Sequence, residues 1–436
     1  MTGRPSHRFV RLALALVLPA TALTACGDSA SGQSGTISIW AHESQDNESK
    51  VLQDIVDSFN RSQSKVKATL RLIPQTDYYN ILQDTPASKM PDVVEFDGPQ
   101  MANLVYNHKL TPIDGYLSIP TIANATDAAT TQGTMGGKLY SLSMYDSGLG
   151  IYGNKRMLDR AGVKYPKVPT DDWTAAQFTT ALKTLAATSP GGKALDIQEN
   201  SGLATSWGVY AFSPIVWSAG GQLIQDGNAS GVLDTPKVAD AFRTFQSWKP
   251  YVDANADGNA FASRRVALSW AGHWKYPAFS KALGSDLVVL PLPDFGAGPK
   301  TGQGSYTWGI GADTKNGKAA GAFLDYLLND KNVTEMTQSD GAPPATRSVL
   351  ASSPLYGTNG PLHLFAEQLD RPCGDRLITS SCIAVTRPVT AGFPVISTQF
   401  GTALNSIFAG ADPRTALTKA ANAINQDFAN NNGYAP

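Results

Sequence analysis

Short apolar, β-branched runs alternate with stretches of helical spacing along residues 35–107. In residues 46–60, apolar side chains recur every three or four positions, and Asp46 or Asn47 can cap the start of a helix. The pattern predicts strands at residues 35–40, 66–73 and 90–96, and helices at residues 46–60, 78–82 and 100–107. Strand and helix in regular alternation predict an α/β fold with a largely parallel sheet.

The same two patterns continue through the rest of the chain in a less regular order. Strand-like runs lie at residues 137–142, 150–155, 265–270, 287–290 and 308–312. Helical spacing lies at residues 156–161, 173–187, 236–251, 318–329 and 413–429. Because a single core seldom extends past about 250–300 residues, a chain of 436 residues is expected to form two domains.

The first 26 residues have the layout of a secretory signal. Arg4, Arg8 and Arg11 precede a short apolar run at residues 12–23, and the small residues before Cys26 complete a sequence that resembles the bacterial lipobox. A membrane-spanning helix needs about 20 apolar residues, so this run is too short to be an anchor. We expect residues 1–25 to be removed, Cys26 to carry lipid, and residues 26–34 to form a polar tether.

The charge balance and the cysteines narrow the range of functions. The formal net charge of −1 argues against nucleic acid as a partner, since phosphates call for a basic face. If Cys26 carries lipid, Cys373 and Cys382 remain, and an exported pair is expected to form a disulfide. No histidine or further cysteine lies near that pair in the sequence, which disfavours a metal site.

Several polar and aromatic residues follow the predicted strands directly. Trp40, His42 and Glu43 come at the end of the first strand, and Asp97 follows the third. Ligands of open α/β sheets bind outside the carboxyl ends of the strands. We therefore expect these side chains to lie near one another at an opening.

A series of short motifs, in this order, resembles the sugar-binding group (family 1) of extracellular solute-binding proteins served by bacterial ABC importers. The similarity covers nearly all of the chain after Cys26. The motifs are Pro91-Asp92-Val93, Gly137-Lys138-Leu139-Tyr140, Tyr152-Gly153-Asn154-Lys155, Gly272-His273-Trp274 and Gly341-Ala342-Pro343-Pro344-Ala345-Thr346-Arg347. Gly153 departs from the family, which usually has a second tyrosine there, and His273 stands where the family often has serine.

The resemblance implies a two-lobed periplasmic-binding-protein-like fold of type II, with the ligand cleft between lobes joined by hinge strands. The N-terminal lobe would comprise residues 35–144 and 299–340, and the C-terminal lobe residues 145–298 and 341–436. The implied function is capture of a carbohydrate and its delivery to ABC permease subunits, by a monomer without a cofactor. The protein would be held on the outer face of the bacterial membrane by its lipid anchor alone.

A sugar presents apolar ring faces and a rim of hydroxyls, so its site needs aromatic platforms and polar groups. Tryptophans near glycines, residues at the expected lobe crossing and an arginine in a stretch that the family places near the cleft meet this need. With the strand-end residues, the candidate ligand-binding residues are Trp40, His42, Glu43, Asp97, Tyr145, Asp146, Trp217, Gly272, His273, Trp274, Trp308 and Arg387. Each tryptophan has the alternative role of a core residue.

Two alternatives stay open at this stage. The sequence lacks a nucleophile elbow, a zinc-protease motif and a phosphate loop, but a glycoside-acting enzyme needs only two carboxylates across a cleft. The ligand itself could be charged. Glu43, Asp97 and Asp146 would favour an amino sugar, whereas Arg347 and Arg387 would favour a phosphorylated polyol or another anion. A peptide ligand is a further possibility within the same fold.

Overall fold

The computed structural model describes residues 35–168, 171–374 and 378–434. The predicted signal (1–25), the lipidation site Cys26 and the tether (26–34) lie outside the described residues. The strands are β1 (Gly35–Glu43), β2 (Val66–Pro74), β3 (Val93–Asp97), β4 (Leu110–Thr111), β5 (Thr134–Met135), β6 (Lys138–Leu139), β7 (Ser141–Leu142), β8 (Leu149–Asn154), β9 (Leu195–Asp196), β10 (Val252–Asp253), β11 (Leu268–Gly272), β12 (Leu287–Leu290), β13 (Thr301–Gln303), β14 (Tyr306–Gly311) and β15 (Ala384–Thr386).

Helices surround these strands. They are α1 (Asp46–Ser62), α2 (Gln75–Asp84), α3 (Met101–Tyr106), α4 (Ile119–Asn124), α5 (Asp127–Gln132), α6 (Lys155–Arg160), α7 (Ala175–Thr188), α8 (Ser206–Ser218), α9 (Pro236–Ser247), α10 (Tyr276–Leu283), α11 (Gly317–Leu327), α12 (Asp330–Asp340), α13 (Arg347–Ser352), α14 (His363–Leu369), α15 (Phe393–Ala409) and α16 (Pro413–Asn430).

The first sheet has the strand order β2-β1-β3-β14-β4, with β7 also paired to β14. Strand β1 runs parallel to β2 and β3, as the strand–helix alternation predicts. Strand β14 comes from much later in the chain and runs antiparallel to β3, so the sheet is mixed rather than largely parallel. Helices α1, α11 and α12 supply residues of the apolar core that covers this sheet.

The second sheet has the order β10-β9-β11-β8-β12. Strand β8 is antiparallel to both of its neighbours, which again departs from a largely parallel sheet. The apolar core that covers this second sheet is built by helices α7, α8, α9, α15 and α16. The aromatic residues Phe212, Phe242, Phe245 and Phe400 meet in this core. The sequence does not predict helix α8, because this helix is apolar on most sides and lacks a polar stripe.

The chain crosses between the two sheets at residues 143–148 and 291–305, and residues 341–346, which lead from α12 to α13, are a third, expected crossing. The first and last crossings pair with each other, because Asp146 N donates to Pro343 O (2.8 Å) and Ala345 N donates to Met144 O (3.0 Å). The middle crossing contains β13, which pairs with β15. Paired crossings of this kind suit a hinge between two lobes. The predicted lobe boundaries remain a prediction.

Cys373 and Cys382 are bonded to each other, as the sequence predicts. The bond closes the loop that leads into β15. Backbone hydrogen bonds from Cys373 N to Ala384 O (2.8 Å) and from Ile383 N to Arg371 O (2.8 Å) hold both ends of this loop. Both ends of the loop, and β15, are therefore fixed just before Arg387.

We predict that replacing both Cys373 and Cys382 by serine destabilises the fold by about 2–3 kcal/mol, because the unfolded chain is no longer constrained by a short loop. Denaturant unfolding would measure the change. Reductant should lower the stability of the wild-type protein and leave the double variant unchanged. Equal stability of the two proteins under oxidising conditions would contradict the prediction.

Candidate functional site

The carboxyl ends of β1 and β3 meet the start of β14 at one edge of the first sheet. The register places Tyr306 opposite Asp97. The His42 ring stacks on the Tyr306 ring with centroids 3.7 Å apart and an interplanar angle of 8°. The hydroxyl of Tyr306 lies 3.0 Å from that of Tyr79, on α2. The structure thus joins His42 and Asp97, as the strand ends predict, and adds two tyrosines that the sequence analysis missed.

A buried carboxylate fixes the His42 ring. Glu95 accepts from both the Nδ1 (2.7 Å) and the backbone N (3.2 Å) of His42 through the same oxygen. Burial opposes a charged imidazole, but Glu95 outweighs it, so the pKa of His42 is raised. Burial also raises the pKa of Glu95, although His42 opposes that shift. The pair therefore sets the orientation of the ring on which Tyr306 stacks.

Asp97 and Arg387 form a bidentate ion pair in which two Arg387 nitrogens each donate to a separate Asp97 oxygen at 2.6 Å. Both side chains are buried, with relative exposures of 5% and 4%. The guanidinium also lies over the rings of Tyr210 (4.8 Å) and Phe393 (5.8 Å). Burial opposes the charge on Arg387, but Asp97 outweighs it and raises the pKa of the guanidinium. The pair links the edge of the first sheet to the segment after β15.

Asp146 lies at the first crossing, and its carboxylate accepts several hydrogen bonds from the protein. Its carboxylate accepts from Ser147 N (2.7 Å), Gly304 N (2.9 Å) and Gln303 Nε2 (3.0 Å). Burial raises the pKa of Asp146, and these hydrogen bonds oppose the shift. Ser147 Oγ lies 2.8 Å from the Tyr210 hydroxyl. Asp146 therefore ties two crossings together beside the ion pair.

Tyr145 and His273 contact each other, and Tyr145 lines a small cavity together with His42 and Glu95. The Tyr145 hydroxyl donates to Glu48 Oε1 (2.5 Å), and its ring meets that of His273 edge-on at 5.9 Å. Both residues are buried, and His273 Nδ1 has no hydrogen-bond partner. Burial lowers the pKa of His273 to about 3, so the ring is neutral at ordinary pH.

Gly272 ends β11, and the packing of the nearby Trp274 ring requires a glycine at this position. A Cβ atom at this position would lie 2.2 Å from the Trp274 ring, so only glycine lets the indole pack across the backbone. Trp274 is partly buried, and its ring lies near those of Trp207 (5.8 Å) and Tyr210 (6.2 Å). Gly272 thereby positions Trp274 beside the ring that supports Arg387.

Two of the candidate tryptophans lie in the hydrophobic cores, which is the alternative role that the sequence leaves open for each of them. Trp217 is inside α8 and Trp308 inside β14, with exposures of 1% and 2%. Gly309 reflects close packing, since a Cβ there would approach Phe96 and Tyr140 O to 3.0 Å. Both indoles are buried, and ligand contact by Trp217 or Trp308 stays a prediction.

Trp40 and Glu43 stand apart from the ion pair. Trp40 is half-buried, and the Arg71 guanidinium lies 4.9 Å above its ring. Glu43 is exposed at the last position of β1. Of the residues that sequence reasoning missed, Tyr306 follows the glycine-bearing segment 302–304, which is a weak signal, whereas Tyr79 and Tyr210 lie in helices with none.

The arrangement suits binding of a polar, ring-shaped solute between two lobes. Over the described ranges, no set of three or more His, Cys, Asp or Glu side chains could hold a metal ion. Within the same residues, no helix is long and apolar enough to cross a membrane. The fold and site together define a two-lobed α/β binding protein whose candidate ligand site lies where the lobes meet.

Residues 54–359 match the family model of the bacterial extracellular solute-binding proteins, and the chain belongs to this family. A putative binding protein of Brucella abortus is 23% identical over 329 residues, which cover 71% of this chain and 72% of that protein. An uncharacterized lipoprotein of Streptomyces antibioticus is 22% identical over 292 residues, which cover 63% of this chain and 62% of that protein.

Solved structures show the same fold. The GacH receptor of Streptomyces glaucescens, studied unliganded and with acarbose, has a TM-score of 0.75 at 22% identity, covering 90% of this chain and 98% of that one. The cyclic alpha-maltosyl-1,6-maltose binding protein of Arthrobacter globiformis has a TM-score of 0.70 at 23% identity, covering 91% and 99%. A Listeria monocytogenes ABC substrate-binding protein in complex with cycloalternan has a TM-score of 0.75 at 18% identity, covering 91% and 99%.

We predict that His273→Phe removes a pH-dependent loss of stability. The unfolded chain binds a proton at this residue near the ordinary pKa of 6.5, whereas the folded protein does so only near 3. The wild-type free energy of unfolding should therefore fall, relative to that of the variant, by about 1.4 kcal/mol for each pH unit below 6.5. Denaturant unfolding between pH 4 and pH 8 would measure the difference.

The matched control is His108→Asn, because His108 is exposed. A His273→Phe difference that does not change with pH would show that His273 can take up a proton in the folded state.

Proposed function

We propose that this chain is the substrate-binding protein of a bacterial ABC importer and that it captures a carbohydrate between its two lobes. The observation that carries the proposal is the convergence of aromatic rings from both lobes on one polar centre. Tyr79, Tyr306 and His42 approach from the first sheet, whereas Tyr210 and Trp274 approach from the second. The Asp97–Arg387 pair lies between them.

This combination matches the chemistry of a sugar. Aromatic faces cover the apolar faces of a pyranose at a small cost in side-chain entropy, and polar groups at their edges serve its hydroxyls. The family to which the chain belongs and the carbohydrates named with its structural neighbours support the same substrate class. The ligand would favour the closed arrangement by contacting both lobes.

Anchoring at Cys26 completes the proposed role. Lipid on Cys26 would keep the protein at the outer face of the membrane, where the permease lies, and would raise its local concentration there. A Streptomyces antibioticus relative is described as a lipoprotein, which supports this assignment. We expect a monomer to meet the permease subunits.

A glycoside-acting enzyme is the alternative from another class. Such an enzyme needs one carboxyl group free to donate a proton and a second to act as nucleophile or base. Asp97 is committed to Arg387, and Asp146 accepts three hydrogen bonds from the protein. Asp97 and Asp146 are therefore both engaged in holding the structure, which favours binding over catalysis.

The deciding experiment is a thermal-shift screen of residues 29–436 against mono-, di- and trisaccharides, amino sugars, phosphorylated polyols and short peptides. A ligand at 100 times its Kd should stabilise the folded state by about 2.7 kcal/mol. Chromatography after overnight incubation would show whether the ligand is consumed. Stabilisation by one sugar class without product supports the proposal, whereas product formation would make the protein an enzyme.

We predict that Trp274→Ala and Tyr306→Ala each weaken binding of the sugar found in that screen by about tenfold or more, because each removes an aromatic platform. Isothermal titration calorimetry would measure the Kd. Tyr116→Ala is the control, since this partly exposed tyrosine packs against α11, away from the lobe junction. Unchanged affinity in both site variants would place the ligand elsewhere.

We also predict that Cys26→Ser moves the full-length protein from the membrane fraction to the soluble fraction of an expressing bacterium, because the serine cannot form the thioether to lipid. Immunoblotting of the two fractions would measure this. The Cys373→Ser/Cys382→Ser protein serves as control and should stay with the membrane. Membrane retention of the Cys26 variant would refute the lipid anchor.

A further inference from the structure

We propose that the Asp97–Arg387 ion pair holds the two lobes together as a clasp and that it also sets the ligand specificity. Because the two charges neutralise each other, neither remains free to recognise a charged sugar. The proposal rests on the proposed function for its ligand. It assigns a joint role to two residues that the sequence analysis treated as separate ligand contacts, and it selects an uncharged ligand over an amino sugar or an acidic one.

The pair belongs to the junction because its members come from opposite lobes. Asp97 ends β3 of the first sheet, beside Phe96 of the core under that sheet. Arg387 lies between Val385 and Phe393, which both belong to the core of the second lobe. Two charge-assisted hydrogen bonds of 2.6 Å therefore form only when the two lobes are together.

Helix α3, which follows Asp97, continues the same contact toward the surface. Asn103 Nδ2 donates to Ala391 O (2.7 Å), and the Tyr106 ring meets that of Tyr434 at 5.5 Å. The ion pair is thus the buried end of a line of contacts between the residues after β3 and the last part of the chain. This geometry is that of a closure contact, not of two independent ligand-binding side chains.

The charged residues that suggested a charged ligand are all accounted for in the structure. Asp97 and Arg387 neutralise each other, and Asp146 is held by three donors. Arg347 pairs with Asp127 at 2.7 Å on the surface, and Glu43 is exposed. A charged sugar at the ion pair would lose water without gaining a counter-charge from Asp97, Arg387 or Asp146, which is unfavourable in a buried site.

One donor of the clasp remains unused. Arg387 Nε is buried and has no hydrogen-bond partner. The bonds to Asp97 are made by the other two nitrogens, so the neutrality of the pair does not depend on this donor.

The test uses Asp97→Asn, Arg387→Gln and the double variant Asp97→Asn/Arg387→Gln. Small-angle scattering of the ligand-free proteins measures closure. Each single variant leaves one buried charge unpaired and should increase the radius of gyration, whereas the double variant should return toward the wild-type value. Arg347→Gln, which breaks the exposed Arg347–Asp127 pair, should leave scattering unchanged.

Calorimetry with three size-matched probes measures specificity: maltotriose, the glucosamine trimer and trigalacturonate. Wild type should bind maltotriose best. Relative to maltotriose, Arg387→Gln should gain about tenfold for the glucosamine trimer, and Asp97→Asn should gain about tenfold for trigalacturonate. Circular dichroism confirms that each variant is folded, and the double variant keeps the test valid if one single variant does not fold.

The outcomes separate the two proposals. Tighter wild-type binding of either charged trimer, or single variants with unchanged scattering, would overturn the clasp while leaving carbohydrate capture in place. Loss of maltotriose binding in the double variant with normal closure would return Asp97 and Arg387 to the role of direct ligand contacts. If no saccharide in the earlier screen binds, the proposed function fails, and scattering alone then decides whether the clasp exists.

Discussion

The antiparallel pairing of β14 with β3 is the contact on which the arrangement of the molecule depends. It returns the chain to the first sheet after the whole second sheet has been built, so the chain has to cross between the sheets more than once. Closing so long a loop costs entropy, but the cost grows only slowly with loop length. Helices α11 and α12, which follow β14, offset this entropy cost because their apolar faces bury Phe323, Leu324 and Val333 in the first core.

The same pairing decides where the candidate site lies. Tyr306 opens β14 and is fixed opposite Asp97, and its ring then covers His42 at the end of β1. The residues just before β14 reach the crossing, where Gln303 and Gly304 donate to Asp146. The register of β14 on β3 therefore fixes the positions of the aromatic rings, of the Asp97–Arg387 ion pair and of the hinge. A shift of β14 by one residue would turn Tyr306 to the other face of the sheet.

The sequence predicts those strands and helices whose hydrophobic spacing can be recognised within a short stretch of residues. The strands β1, β2 and β3 and the helix α1 were found near their predicted positions, because alternation and amphipathic spacing are local signals. Helix α8 was missed because it is buried on all sides and therefore carries no polar stripe. A nearby glycine can also signal tight packing as readily as a loop, and Trp217 and Trp308 both lie in the cores beside such glycines.

The site shows a second limit of local reasoning. Asp97 and Arg387 were each recognised as candidates, but they are separated by 290 positions, and nothing in either local sequence indicates that they pair. Their pairing changes the chemistry that each can perform, since an acid that neutralises an arginine no longer attracts a cation. A list of candidate residues is thus weaker evidence about ligand charge than the contacts that those residues make with one another.

Buried polar groups at the junction also constrain how such a protein can close. The His42–Glu95 pair and the Asp146 hydrogen bonds lie within the first lobe or the crossings, so they can persist when the lobes separate. The Asp97–Arg387 pair joins the lobes and would be exchanged for water on opening. A ligand shifts this equilibrium only by its differential affinity for the closed state. A clasp that already favours closure reduces the affinity that the ligand has to supply, and this advantage is greatest for a neutral solute that leaves the ion pair intact.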